Sequence, residues 1–178
     1  MKIVLFYKWL TTGGIAKVLV NLGNYLHGQG HEVEFLLRER RGELLNELHD
    51  DIAVVELGCE ELRYCILPAI RYLRAEQPDA IVAGQTIYNI VIIIANYFAG
   101  RTSTVIATEH MPIVPKLRKW NFLKRNLVKQ VLVKADFIVV VSEGLREEFV
   151  SELEVDQRNV VRIYNPIIEN TYLKSSER

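Results

Sequence analysis

The stretch KIVLFYKWLTTGGIAKVLVNLGNYLHGQGHEVEFLL, Lys2 to Leu37, decides the fold. Its two ends, Lys2 to Tyr7 and His31 to Leu37, are short β-branched or apolar runs bounded by turn residues, the pattern of strands. Between them Ile15, Val18, Leu19, Leu22 and Leu26 recur at helical spacing. Gly28 and Gly30 end that helix, where a residue without Cβ tolerates a left-handed cap.

The same alternation continues. Ile52 to Leu57, Ala80 to Gly84, Ser103 to Thr108, Phe137 to Val141 and Val160 to Tyr164 complete a set of seven predicted strands. Leu62, Ile66, Ala69, Ile70 and Leu73 form a second helical stripe, in which Pro68 marks a start or a kink because it lacks the amide that would bond to the preceding turn. The apolar run Ile87 to Ala99 contains Tyr88, Asn89, Asn96 and Tyr97 and falls short of the roughly 20 residues a membrane-spanning helix needs; it reads as a buried helix. Ile138 to Val141 is continuously apolar, as a strand covered on both faces by helices must be. Alternation with such strands predicts a doubly wound α/β domain, a mostly parallel sheet of about seven strands with helices on both faces.

The 178 residues suit one domain and leave no room for a second full one. Lys and Arg total 22 and Asp and Glu total 22, so net charge names no nucleic-acid partner. Cys59 and Cys65 form neither a CxxC motif nor part of a metal-ligand cluster and read as reduced, partly buried thiols. No apolar stretch of signal-peptide length follows Lys2, which implies a cytoplasmic address. After Asn165-Pro166 the apolar content thins into Lys174, Ser175, Ser176, Glu177 and Arg178; residues 1–165 therefore read as the domain and 166–178 as the start of a linker.

In open α/β sheets ligands bind beyond the carboxyl ends of the strands, where strand order reverses. With the common order 3-2-1-4-5 that crevice falls between the first and fourth strands. Lys8 to Gly14, Gln85-Thr86, Glu109-His110 and Ser142-Glu143 would line it. Gly13-Gly14 precedes the first helix, so backbone amides at a positive helix end can meet an anion such as a diphosphate, with Thr11 and Thr12 adding hydroxyls; the other reading of the doublet is a plain tight turn. It fits neither GxGxxG nor a P-loop, and the second strand ends in Leu36-Leu37-Arg38 without the acidic residue a NAD ribose needs. Fold alone leaves a flavodoxin-like or receiver-like domain open. His110 follows the fifth strand beside the expected mouth, where it is either a hydrogen-bonding group of the site or a satisfied structural histidine. His27, His31 and His49 read as structural or solvated, and Ser142 lacks the glycines of a nucleophile elbow.

Gly13 to Leu22, the turn Leu26-His27-Gly28-Gln29-Gly30-His31-Glu32-Val33, the strand Val105 to His110, Ala135-Asp136-Phe137-Ile138-Val139-Val140-Val141-Ser142-Glu143-Gly144-Leu145, and Val161-Arg162-Ile163-Tyr164-Asn165-Pro166-Ile167 together resemble the GT-B glycosyltransferases of the family 4 type, in family order and over nearly the whole chain. The resemblance implies the Rossmann-like N-terminal, acceptor-side half of a GT-B fold. It implies a retaining transferase of the hexosyltransferase type, moving a sugar from a nucleotide-sugar donor to a glycan or lipid-linked acceptor in polysaccharide or glycolipid biosynthesis, with neither metal nor cofactor. Gly13, Gly14 and Thr12 would approach the donor diphosphate. His110 would lie near the transferred sugar, and Gln85, Thr86, Glu109, Ser142 and Glu143 would line the acceptor cleft. The family's E-x7-E motif and its phosphate-binding Arg/Lys pair belong to a C-terminal domain absent from this sequence, which implies that the chain alone is inactive. Asn165-Pro166 stands where the family has Asn-Gly.

From Pro112 to Ala135 seven basic residues, Lys116, Arg118, Lys119, Lys124, Arg125, Lys129 and Lys134, occur without an acidic one, among Trp120, Phe122, Leu123, Leu127 and Val131. Such a segment suits the anionic inner face of a membrane as a peripheral contact. It suits better a surface helix that packs its apolar side on the sheet with its cations solvated. A nucleic-acid patch is disfavoured for want of a binding motif. A stand-alone Rossmann-like binding or interaction module without catalysis is the alternative to the transferase.

Overall fold

The computed structural model describes residues 1–165 and, among them, every side chain but that of Lys116; the expected linker over 166–178 lies outside the described residues. Among the described residues seven strands form one sheet: β1 Lys2–Tyr7, β2 Glu32–Leu37, β3 Ala53–Glu56, β4 Ala80–Gly84, β5 Thr104–Glu109, β6 Phe137–Val140 and β7 Val160–Arg162. Their order is β3-β2-β1-β4-β5-β6-β7, and every neighbouring pair is parallel. The sheet expected to be mostly parallel is wholly so, and the order expected for the first five strands extends outward through β6 and β7.

The helices are α1 Gly14–Gly28, α2 Ile66–Glu76, α3 Thr86–Ala99, α4 Val114–Leu117, α5 Phe122–Leu132 and α6 Glu143–Glu147, the last running on into a π-helical turn over Glu148–Glu152. Pro68 is the third residue of α2, in the first turn, where its missing amide has no intrahelical acceptor to lose. Gly30 takes φ +84 just past α1, as a left-handed cap requires.

Two adjacent residues of β1 show why the sheet is covered on both sides. Leu5 lies under Gly23 of α1, so closely that a Cβ on that glycine would stand 3.0 Å from Leu5 Cδ1 and 2.7 Å from Phe35 Cε2. Phe6, pointing the other way, meets Tyr88 of α3 edge-on with ring centroids 6.0 Å apart. Leu5, Phe6, Phe35, Leu36, Leu37 and Ile81 are wholly buried, each contributing about 1.5–3 kcal/mol relative to exposure.

The run expected to be a buried helix is α3, buried along most of its length but not around its end, where Tyr97 and Phe98 are exposed. Its two asparagines explain how amides enter an apolar helix. Asn96 exchanges hydrogen bonds with the Ser103 backbone, at 2.7 Å to the carbonyl and 3.2 Å from the amide, and so ties the end of α3 to the start of β5. Cys59 and Cys65 are free thiols, and burial pushes the Cys65 thiol up.

Candidate active site

Because all strands run the same way, the loops after β1 and β5 open on the same rim of the sheet. They enclose a hollow of about 410 Å³ lined by Tyr7, Lys8, Thr11, Thr12, Gly13, Gly14, Ile15, Ala16, His110, Met111 and Asn165. The glycine doublet and the imidazole, far apart in sequence, therefore face one space.

Neither glycine is there for the backbone's sake. Gly13 has an extended φ of 173, and Gly14 is not among the glycines with positive φ. A Cβ on Gly13 would approach no atom closer than Thr11 O at 3.8 Å, and a Cβ on Gly14 would meet nothing within 4 Å. A plain tight turn would need neither glycine. What their missing side chains leave is free room in the hollow, next to the first-turn amides of α1, whose first turn carries no acidic residue.

His110 is held there as a neutral ring: burial lowers its pKa from 6.5, opposed by a hydrogen bond with Asn165. The Thr108 hydroxyl spends its one hydrogen on the Ala83 carbonyl at 2.9 Å, so toward His110 Nε2, at 3.3 Å, it can only accept. That assigns the proton to Nε2. Burial also pushes the Tyr7 hydroxyl up to about 12, leaving it a protonated donor at neutral pH.

The other expected site residues are engaged in bonds of their own. Thr12 borders the hollow, but its amide donates to Glu43 Oε1 at 2.5 Å and its hydroxyl donates to the same oxygen, so an anion reaching Thr12 has to displace Glu43. That contact holds the Glu43 carboxyl below its ordinary range. Glu109 is 1% exposed and turned inward; its carboxylate accepts from Thr86 Oγ1 at 2.9 Å and from Asn89 Nδ2 at 2.8 Å. Glu109 and Thr86 thus bond to each other. Gln85, at φ 100, lies between β4 and α3 with its carbonyl receiving the amides of Tyr88 and Asn89. Ser142 caps α6 by accepting from the Leu145 amide at 3.3 Å, and Glu143 pairs with Arg146 and Arg162. None of these five lines the hollow.

Lys8 lines the hollow as expected for the Lys8 to Gly14 loop, whereas Met111 and Asn165 join it without having been singled out by any motif. Within the same loop the indole of Trp9 lies beside three cations: Arg41 at 4.1 Å, Lys8 at 4.8 Å and Arg38 at 4.9 Å from the ring centroid. His27 and His49 stack 4.4 Å apart, and with Asp51 they bring ligand atoms within 4.8 Å of one another, a geometry that could hold a cation. Their distance in sequence hid that grouping, and the length of α1, about 20 Å, separates it from the hollow.

The basic segment folds as α4 and α5. Leu117, Val128 and Leu132 are buried, but Phe122 is 83%, Leu123 77% and Leu127 63% exposed, so the apolar side does not simply pack on the sheet. Lys119, Lys124 and Arg125 are exposed beside them, and Lys124 also lies 4.2 Å over the Trp120 ring. Arg118 and Lys129 instead pair with Glu152 and Glu154. Among the described residues no helix is long and apolar enough to cross a membrane.

The family model for Glycosyltransferase Family 4 matches residues 12–170. Solved structures share the fold. HepE of Anabaena in complex with UDP-glucose superposes with a TM-score of 0.73 at 16% identity, covering 94% of this chain and 44% of that one. The lipopolysaccharide outer core galactosyltransferase WaaB in its apo form gives 0.66 at 15%, covering 94% and 46%. Sucrose-phosphate synthase of Thermosynechococcus elongatus gives 0.65 at 17%, covering 92% and 47%. The chain spans less than half the length of each of these three structures. No curated protein matches its sequence.

Proposed function

The chain belongs to glycosyltransferase family 4, and from that premise we propose that it is the acceptor-side half of a retaining transferase whose active cleft is completed by a second domain. The donor is a nucleotide sugar and the acceptor a glycan or a lipid-linked sugar. The amides at Gly13-Gly14 and the start of α1 receive the donor diphosphate, and neutral His110 contacts the transferred hexosyl group. Transfer needs no metal; charge developing on the departing diphosphate is met by helix amides here and by cations on the other wall. The chain alone binds but does not turn over.

One observation carries this reading: two glycines that the backbone does not require face a hollow shared with His110. The test is Gly14→Ala, read by NMR with inorganic pyrophosphate as probe. In the wild type, pyrophosphate should shift Gly13, Gly14, Ile15 and His110. The variant should gain up to about 1 kcal/mol of stability from helix propensity yet bind at least tenfold more weakly, because its Cβ fills the anion's room. Undiminished binding by Gly14→Ala, or wild-type resonances that do not move, refutes the site. A stand-alone binding module would leave pyrophosphate without effect there.

The exposed Phe122, Leu123 and Leu127 beside Lys119, Lys124 and Arg125 favour a second element of the proposal, that α5 rests on an anionic membrane surface and brings the cleft to a lipid-linked acceptor. Each nearby Lys or Arg contributes about 1 kcal/mol to such contact. At low salt the chain should float with phosphatidylglycerol vesicles but not with phosphatidylcholine ones, and Phe122→Glu with Leu123→Glu should abolish flotation. Equal flotation by the variant removes this element.

A further inference from the structure

We propose that the Trp9 cluster is a binding site for a phosphoryl group carried by the acceptor, so that the sugar receiving the transfer is a phosphorylated one; this rests on the transferase reading and narrows its acceptor class. The cluster arises where β1 and β2 run on past the sheet. Arg38 N bonds to Tyr7 O at 3.0 Å, Glu39 N to Lys8 O at 3.0 Å and Leu10 N to Arg41 O at 2.8 Å, which sets Lys8 to Leu10 beside Arg38 to Arg41.

Three cations, Lys8, Arg38 and Arg41, meet at Trp9, and Arg40 is exposed in the same short double segment, with one carboxylate there, Glu39, which pairs with Arg38 and with Arg41 at 3.3 Å each. Among the described residues no carboxylate pairs with Lys8 or Arg40. Arg38 gives one N–H to the Glu60 carbonyl at 3.1 Å, and its buried Nε has no hydrogen-bond partner among the described residues. The domain as a whole is neutral, so this local excess of positive charge is a placed one. Like charges held together raise the energy of the free protein, and an arriving anion relieves it. The excess exceeds one charge, which suits a phosphate at about −1.5 to −2 better than a single carboxylate, and the guanidinium fork matches its oxygens.

Lys8 joins this cluster to the transfer site. It lies 4.8 Å over the Trp9 ring and also lines the hollow with Gly13, Gly14 and His110. A phosphate seated at Trp9 therefore leaves the rest of its sugar beside the place where the donor sugar is to arrive.

The chain has two tryptophans, so Trp120→Phe leaves Trp9 as the sole indole reporter. In that background, at constant ionic strength, inorganic phosphate and glucose 6-phosphate should each change Trp9 fluorescence saturably. Glucose should not, and glucuronate should bind at least tenfold more weakly. Lys8→Ala and Arg41→Ala should each weaken phosphate at least tenfold. No response to phosphate, glucuronate as strong as glucose 6-phosphate, or binding unaltered in both basic-to-Ala variants overturns the proposal. If pyrophosphate fails at Gly14 while phosphate still binds at Trp9, the transferase reading falls and the phosphoryl site stands.

Discussion

Gly42→Ala should cost the fold about 4 kcal/mol or more, counting the strain of an unfavourable φ and of overpacking together. Gly42 takes φ +120, and a Cβ there would stand 2.1 Å from the Leu10 carbonyl carbon, 2.2 Å from its oxygen and 2.4 Å from the Thr11 amide nitrogen. These are backbone atoms, fixed by Leu10 N bonding to Arg41 O at 2.8 Å and Leu44 N to Leu10 O at 2.9 Å, and they cannot swing aside as a side chain would. Gly30 and Gly100 are the controls, with φ +84 and +107 but nothing within 4 Å of a Cβ; alanine at either should cost only about 1 kcal/mol. Urea unfolding with an unchanged slope measures the difference. A Gly42→Ala midpoint no lower than that of Gly100→Ala would show that the Leu10–Thr11 crossing is not a fixed contact.

Asn89→Ala should cost about 3 kcal/mol, because it takes donors from two buried acceptors, one of them charged. Asn89 Nδ2 reaches Glu109 Oε1 at 2.8 Å and Thr108 O at 3.0 Å, and both Asn89 and Glu109 are buried to about 1% exposure or less. Asn96 makes an equivalent tie to neutral backbone, so Asn96→Ala should cost about half as much. Thermal unfolding of the two variants side by side decides this; equal losses would mean that the charge on Glu109 does not set the cost.

The layout of the sheet was legible because it rests on local signals. Short apolar or β-branched runs between turn residues mark β1 through β7 and helical spacing marks α1 and α2, and the predicted strands differ from the observed ones only at the ends, as where Val160 to Tyr164 shortens to Val160–Arg162. That Gly13-Gly14 and His110 share a hollow follows from topology alone, since parallel strands bring the ends of β1 and β5 to one rim. Which side chain at a strand end looks outward was not legible. Glu109 and His110 are neighbours, and only the bonds from Thr86 and Asn89 on α3, twenty and more positions upstream, reveal that the glutamate turns inward. Contacts between separate segments were equally hidden. The Trp9 cluster needs Lys8 and Arg41 placed side by side, and the tight glycines at 23 and 42 are set by Phe35 and Leu10, which no local pattern names.

The inward turn of Glu109 bears on how mutational scans of this rim are to be interpreted. A screen scored by pyrophosphate binding would flag Glu109 and His110 alike, as it would Gly42 and Asn89, and would draw a site map too large by those foundation positions. Pairing each affinity with a melting temperature separates the two kinds: loss with an intact melt marks the hollow, and loss that tracks the melt marks the masonry under it.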